Sequence, residues 1–288
     1  MSNLLIGGTG FIGSALGEAL TATDEPVISL SRSKTGTTGA IQQIALNLDT
    51  QLLPDSLIEN NPDVYLLTGQ TGPAFNAANE LASLKQLVQT LARRSGHIFF
   101  FSTALVYGNC TEPARETTLP NPIGSYPTYK LAAEQLLTTA LPTEQLTILR
   151  LSNVYGSPKN RGFINLVLRS ILEPLQPLTL LNNGDTIRDY IFLDDLIRVL
   201  MAIKNHPARH GIINLVSGTS YSLNDVVSAT EQIAGRRLVI TRSDERTAEA
   251  QAIRTTNQLL SDRFNVSLFT TLTDGLRQTL KRYQEEQR

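Results

Sequence analysis

Cysteine is almost missing from this 288-residue chain, and the lone Cys110 excludes an intrachain disulfide. Three histidines, His97, His206 and His210, are scattered at spacings that match no zinc site, so no metal is expected. An excess of charge is also lacking: 25 basic and 26 acidic side chains leave a formal charge of -1. Such a chain has no overall basic field with which to hold a polyphosphate backbone, which argues against nucleic acid as a main partner. No apolar run is long enough to span a bilayer, so no membrane partner is expected. The first residues, Met1-Ser2-Asn3, lead directly into Leu4-Leu5-Ile6 without the charged region, apolar stretch and cleavage site of a signal peptide. Together these absences point to a reducing, cytoplasmic compartment. Internal repeats, low-complexity tracts and Gly/Ser-rich linkers are missing too, which excludes a repeat architecture and two independently moving domains.

What is present is an apolar content of 41%, enough to bury one large core or a core plus a small lobe. Short apolar runs at Leu4–Ile6, Val27–Leu30, Ile44–Leu46, Val64–Leu67, Ile98–Phe101 and Leu146–Leu151 read as strands. Between them, Phe11–Leu20, Ser83–Ala92 and Leu131–Ala140 space their apolar residues as helices do. The alternation predicts an α/β fold: a doubly wound parallel sheet (Rossmann fold) with a small C-terminal lobe. After Arg150 the rhythm loosens through Pro158, Pro174, Pro177 and Asn182-Asn183-Gly184, before a helix near Asp194–Lys204. The expected division is 1–152 plus about 186–215 for the dinucleotide-binding domain, and about 153–185 plus 216–288 for the lobe.

Gly7-Gly8-Thr9-Gly10-Phe11-Ile12-Gly13 follows the first strand and opens the first helix. A tight turn at Gly7, close approach of a pyrophosphate at Gly10 and helix–strand packing at Gly13 account for the missing side chains. The helix N-terminus then turns free amides toward the phosphates. After the second strand, Ser31-Arg32-Ser33 occupies the place where an NAD-binding unit offers an acid to the ribose. A planar cation forks onto phosphate oxygens, so Arg32 suits the 2′-phosphate of NADP(H). The other reading is a solvated loop arginine, with the serine hydroxyls on an unphosphorylated ribose and NAD(H) as cofactor.

Tyr126 and Lys130 are four residues apart at the start of a helix and share one face. A nearby ammonium favours the phenolate, and tyrosine can then exchange a proton with an alcohol or carbonyl as hydride moves at carbon. A surface pair at the same spacing is the bland alternative. Thr103 sits at the carboxyl edge of the fifth strand, where ligands of open α/β sheets lie. It can hydrogen-bond a reacting oxygen or act only as a local cap.

Taken together, Gly7–Gly13, the segment Ser102-Thr103-Ala104-Leu105-Val106-Tyr107-Gly108, Tyr126–Lys130 and Leu149–Gly156 resemble the extended short-chain dehydrogenase/reductases. Within them the resemblance is to the NAD-dependent epimerase/dehydratase family acting on nucleotide sugars. It covers almost the whole chain, since Gly184–Asp195 is similar to the family's segment after the substrate loop. The resemblance implies Thr103, Tyr126 and Lys130 as the catalytic group, with Lys130 also on the nicotinamide ribose. It adds Phe11, Ile12, Asn47, Leu48 and Thr68 to the cofactor contacts, Asn47 replacing the family's aspartate near the adenine. Asn153 and Arg188 correspond to substrate-binding positions, Arg188 to a diphosphate-gripping arginine, while Arg246 and Glu249 loosely match an Arg-Pro-Gly-Asp segment. A homodimer through the helices near 83–92 and 131–140 is also implied, Leu87, Leu91, Leu136 and Leu137 being leftover apolar positions.

Departures from the pattern narrow the chemistry. Dehydratases of the family carry Asp-Glu after the hydroxyl residue, whereas here Ala104 and Leu105 stand there, so dehydration is not expected. Cys110 lies too far along its loop to match an additional epimerising cysteine. The stretch from Thr68 to Asn79 is shorter than usual. The first expectation is therefore an oxidoreductase that uses NADPH to reduce a 4-keto nucleotide sugar. A 4-epimerase with retained NAD is the alternative, and a non-catalytic dinucleotide-sensing module is a distant third.

Overall fold

The computed structural model describes residues 2–33, 35–69, 75–93, 96–173, 177–246 and 249–286. In chain order the strands and helices begin β1 (Asn3–Ile6), α1 (Phe11–Thr21), β2 (Val27–Ser31), β3 (Gly36–Thr38), β4 (Ile41–Ala45), β5 (Asp63–Leu66), α2 (Ala77–Leu91), β6 (Ile98–Thr103), α3 (Ser125–Ala140) and β7 (Leu146–Leu151). They continue with β8 (Asn153–Tyr155), α4 (Phe163–Leu172), β9 (Leu178–Leu180), β10 (Ile187–Phe192), α5 (Leu193–Lys204), β11 (Gly211–Leu215), β12 (Ser220–Ser222), α6 (Leu223–Ala234), β13 (Ile240–Arg242), α7 (Gln258–Phe264) and α8 (Leu272–Glu286). The chain divides into two compact units, Met1–Thr103, Ser125–Arg150 and Pro207–Ile213 forming the first, and Ala104–Gly124, Leu151–His206 and Asn214–Arg288 the second.

The first unit is organised by an eight-stranded sheet in the order β11-β7-β6-β5-β1-β2-β4-β3. Strands β1, β5, β6 and β7 are buried along their whole length, as strands covered on both faces must be. Pairing is parallel at β1–β2, β1–β5, β2–β4 and β5–β6. The edge departs from the expected all-parallel sheet, because β3 runs antiparallel to β4. Its Gly-Thr-Thr is wholly exposed and carries no hydrophobic alternation from which a strand is predicted. The chain winds outward from β1 through β2 to β4, then returns and winds the other way from β5. The carboxyl ends of β1 and β5 therefore lie side by side at the switch point, where open α/β sheets bind ligands.

Helix α2 begins at Ala77, six residues before the sequence-based start, because the Asn76 side chain accepts hydrogen bonds from the Ala78 and Asn79 amides at 3.1 Å. Leu87, Leu91 and Leu137 belong to the hydrophobic core of this unit, and Leu136 packs partly against it. They are not leftover surface positions, and the apolar argument for a homodimer falls with them.

The second unit contains a three-stranded sheet, β12-β10-β8, and a β13–β9 pair. Its core is built from Tyr155, Leu168, Tyr190, Phe192, Val226 and Leu276. Helix α6 starts in a reciprocal capping box between Ser222 and Asp225 and stops at left-handed Gly235. Segments 104–124 and 186–206 fall in this unit, whereas the sequence-based division placed them with the dinucleotide-binding domain. Strand β10 pairs with β8 and β12, a partnership that its apolar content does not reveal. No helix among the described residues is long and apolar enough to cross a membrane.

Candidate active site

At the end of β1, Gly7 has φ +85°, and its N–H donates to the Leu30 carbonyl at 3.0 Å. That conformation favours glycine. A Cβ on Gly13 would lie 2.6 Å from Gly8 Cα, so α1 is pressed against the turn itself. The contact with the strands belongs to Gly8, which the sequence reading had not singled out: a Cβ there would meet Ser29 Oγ at 2.5 Å and Leu5 Cβ at 2.7 Å. Gly10 differs, since its Cβ would have only the Gly7 carbonyl nearby, at 3.6 Å, and no side chain caps the helix there. The first-turn amides, Phe11 and Ile12 among them, thus adjoin open space at a positive helix end. These residues fit the diphosphate of a dinucleotide, for which room and uncapped donors are the two requirements.

Toward the expected ribose end, Ser31 closes β2, and Arg32 and Ser33 are exposed. The charge of Arg32 is felt by Glu80 on α2, a carboxyl pushed up by burial and by Asp49. Asp49 in turn accepts from Ser83 Oγ at 2.8 Å. Neither acid had been picked out from the sequence, because both sit in polar stretches without a motif. Asn47 turns its side-chain oxygen onto the Asp49 amide at 3.1 Å, a local turn rather than an outward-facing acceptor. Leu48 packs partly on the core. The shortened stretch after Thr68 includes 70–74, which lie outside the described residues.

Thr103 ends β6 and is buried to 8% exposure. Lys130, buried on α3, donates to the Phe101 carbonyl at 2.8 Å and the Thr68 carbonyl at 3.0 Å. Its ammonium therefore ties the helix to the carboxyl ends of β6 and β5. A Cβ on Gly69 would fall 2.7 Å from Lys130 Nζ. Burial lowers the Lys130 pKa to about 8, against the opposing pull of Glu80 and Glu134. Tyr126 is pushed up to about 12 by burial, with Glu80 adding to it. This corrects the expectation of a phenolate favoured by Lys130: the ammonium is 5.9 Å from the Tyr126 ring centre and faces two carbonyl oxygens. Phe75, unmarked in the sequence, sets its ring edge against Tyr126 at 5.9 Å and Tyr129 at 5.5 Å, walling the tyrosine in.

In the second unit, Asn153 opens β8 opposite Tyr190 of β10 and is exposed. Arg188 is nearly buried, donates to its neighbour's carbonyl, the Ile187 oxygen, at 2.9 Å, and approaches Glu249 at 3.7 Å. Burial lowers the pKa of its guanidinium, and Glu249 counters that shift. Arg246 is exposed. Beside Arg188, buried Asp189 accepts from the Ser217 and Gly218 amides at 3.1 and 2.8 Å, and burial raises it to about 6. Among the described residues no group of three or more His, Cys, Asp or Glu is placed to hold a metal ion.

The sequence profile of the NAD dependent epimerase/dehydratase family matches residues 3–215, and the chain belongs to that family. An uncharacterized UDP-glucose epimerase, YtcB, of Bacillus subtilis (strain 168) is 29% identical over 179 residues, 59% of this chain and 55% of that protein. The match thus spans little more than half of that relative's length. A UDP-glucose 4-epimerase of Azospirillum brasilense is 27% identical over 84% of this chain and 80% of its own. A GDP-6-deoxy-D-mannose reductase of Pseudomonas aeruginosa is 26% identical over 73% and 74%. Among solved structures, a UDP-glucuronic acid 4-epimerase from Bacillus cereus, in complex with UDP-glucuronic acid and NAD, superposes with a TM-score of 0.89 at 23% identity, covering 99% of this chain and all of that one. Likeness at that identity establishes the shared fold and leaves the reaction to the site.

Proposed function

We propose that this chain exchanges a hydride between a nicotinamide dinucleotide and C4 of a nucleotide-linked sugar, acting as a 4-keto reductase. The observation that supports the direction is the partly buried phenol of Tyr126, on the same helix face as Lys130 and walled by Phe75, an environment that raises its pKa. With its pKa raised by burial, the phenol keeps its proton near pH 7 and has it to give. As the sugar carbonyl is reduced, the Tyr126 hydroxyl donates its proton to the developing alkoxide. Thr103 hydrogen-bonds the same oxygen. Lys130, held by the Phe101 and Thr68 carbonyls, fixes the turn of α3 that carries Tyr126, and solvent returns the proton to the phenolate left behind. A reduced dinucleotide, its diphosphate held at the Gly7–Gly13 turn, would supply the hydride from its nicotinamide ring. Arg188 holds the nucleotide diphosphate. NADP(H) is the preferred cofactor on the strength of Arg32 in place of the ribose-binding acid. Ala104 and Leu105 provide no acid or base for dehydration.

The second reading is a 4-epimerase with retained NAD, supported by the epimerases among the relatives and by the NAD in the Bacillus cereus structure. There Tyr126 begins as a base. One experiment separates them: purified protein is assayed with 4-keto and 4-hydroxy nucleotide sugars, with NADPH or NADH, and products are identified by mass spectrometry. Stoichiometric oxidation of added NADPH supports the reductase. Epimer formation without added cofactor, with NAD copurifying, replaces it by the epimerase, and no turnover of either class overturns both.

A further inference from the structure

Three buried side chains of α3 and the adjoining strands, Glu134, Arg150 and Ser102, have no role in the reaction above. Tyr126, Lys130 and Glu134 recur at four-residue spacing and form one stripe of the helix. Glu134, Arg150 and Ser102 are all at most 3% exposed. Arg150, near the end of β7, donates to Glu134 through Nη2 at 2.6 Å and through Nε at 3.1 and 3.2 Å. Ser102 Oγ, immediately before Thr103, donates to Oε1 of the same carboxylate, the oxygen that also accepts from Arg150 Nε.

We propose that Glu134, held by Arg150 and Ser102, is a positioning residue that fixes the Tyr126–Lys130 stripe of α3 in register with Thr103 at the end of β6. The claim of a catalytic consequence rests on the hydride-exchange reading above. Consecutive residues of β6 hold consecutive turns of the helix, Phe101 through its carbonyl on Lys130 and Ser102 through its hydroxyl on Glu134. Thr103 follows directly, so a slip of the helix along the strand would part the threonine from the tyrosine. A buried ion pair is seldom better for stability than apolar side chains of the same volume, so stability alone does not account for this one. Sub-ångström placement does, because a displacement of about 1 Å at a reacting group costs about a hundredfold in rate.

The test replaces the network by an apolar one, Ser102→Ala/Glu134→Leu/Arg150→Met, and reads two quantities in the full-length protein after confirming its fold by circular dichroism. One is the rate of Lys130 acetylation by acetic anhydride, followed by peptide mass spectrometry, expected to rise about tenfold as the helix loosens locally. The other is turnover, expected to fall about tenfold to a hundredfold with the KM for the nucleotide sugar nearly unchanged. Should that variant fail to fold, Glu134→Asp keeps both charges, shortens the reach by one methylene and is expected to shift both readouts in the same directions. A folded variant with wild-type acetylation, or with wild-type turnover, overturns the proposal. If the wild type turns over no nucleotide sugar, the proposed reaction falls, and acetylation alone decides whether the network holds Lys130 in place.

Discussion

Replacing Lys130 by methionine removes a buried ammonium whose protonation is coupled to folding. In the folded chain its pKa lies near 8, against 10.5 for a free lysine. The folded value is the lower one, so between those limits the unfolded chain binds a proton that the folded chain has released. Stability must then rise with pH through that window, by at most about 1.4 kcal/mol per pH unit. From pH 8 to about pH 9.5 the contribution amounts to about 1.6 kcal/mol. Methionine has no proton to release, so the variant lacks the rise. Tyrosines with raised pKa values, such as Tyr126 and Tyr129, titrate above this window in wild type and variant alike. Urea unfolding of both proteins at the two pH values gives the difference directly. Parallel pH dependences would refute the reasoning, because they would mean that Lys130 titrates as an exposed lysine and is not locked beneath Phe101 and Thr68.

Tyr126→Phe should leave folding and dinucleotide binding intact while lowering turnover by about two to four orders of magnitude, measured under chemistry-limited conditions; near wild-type turnover would remove Tyr126 from the mechanism. Arg32→Ala should erase a preference for NADPH over NADH of about tenfold, modest because the side chain is exposed, and fluorescence titration of both cofactors checks it. Arg188→Ala should weaken nucleotide-sugar binding by about tenfold to a hundredfold while leaving dinucleotide affinity unchanged, and equal losses in calorimetry would assign it to the fold. His97, buried and hydrogen-bonded to Thr147 at 2.6 Å, has its pKa lowered to about 3 by burial, with the Arg209 charge adding to it. Its folded value is below the unfolded 6.5, so the stability it contributes is present above pH 6.5 and lost as pH falls toward 3. His97→Gln should flatten acid unfolding in that range, and an unchanged acid limb would show that other groups control it.

The parts legible in the sequence were those written in local chemistry. Continuous apolar runs located β1, β5, β6 and β7, and the glycine run located the tight turn and the uncapped start of α1. Four-residue spacing placed Tyr126 and Lys130 on one face. Edge strand β3 has no such signal, since three exposed residues need no hydrophobic pattern. The start of α2 was hidden because its first turn is polar and depends on a single asparagine cap. Membership of β10 in a second sheet depends on partners far away in sequence, which periodicity cannot specify. Protonation was the least legible property: spacing gives the neighbour of Tyr126, but its pKa follows from burial and from Glu80 on another helix. The Ser102–Glu134–Arg150 network was invisible for the same reason, its members coming from three separate elements.

The proposed reaction requires hydride exchange at a sugar carbon with Tyr126 as proton donor. Its most direct test supplies NADPH carrying deuterium at both C4 positions of the nicotinamide to wild type and Tyr126→Phe, with a panel of 4-keto nucleotide sugars. Products are then analysed by mass spectrometry and NMR. The account predicts a single deuterium at sugar C4 with the wild type and almost none formed by the variant in the same time. A product without that deuterium, deuterium at another carbon, or equal labelling by Tyr126→Phe would contradict it.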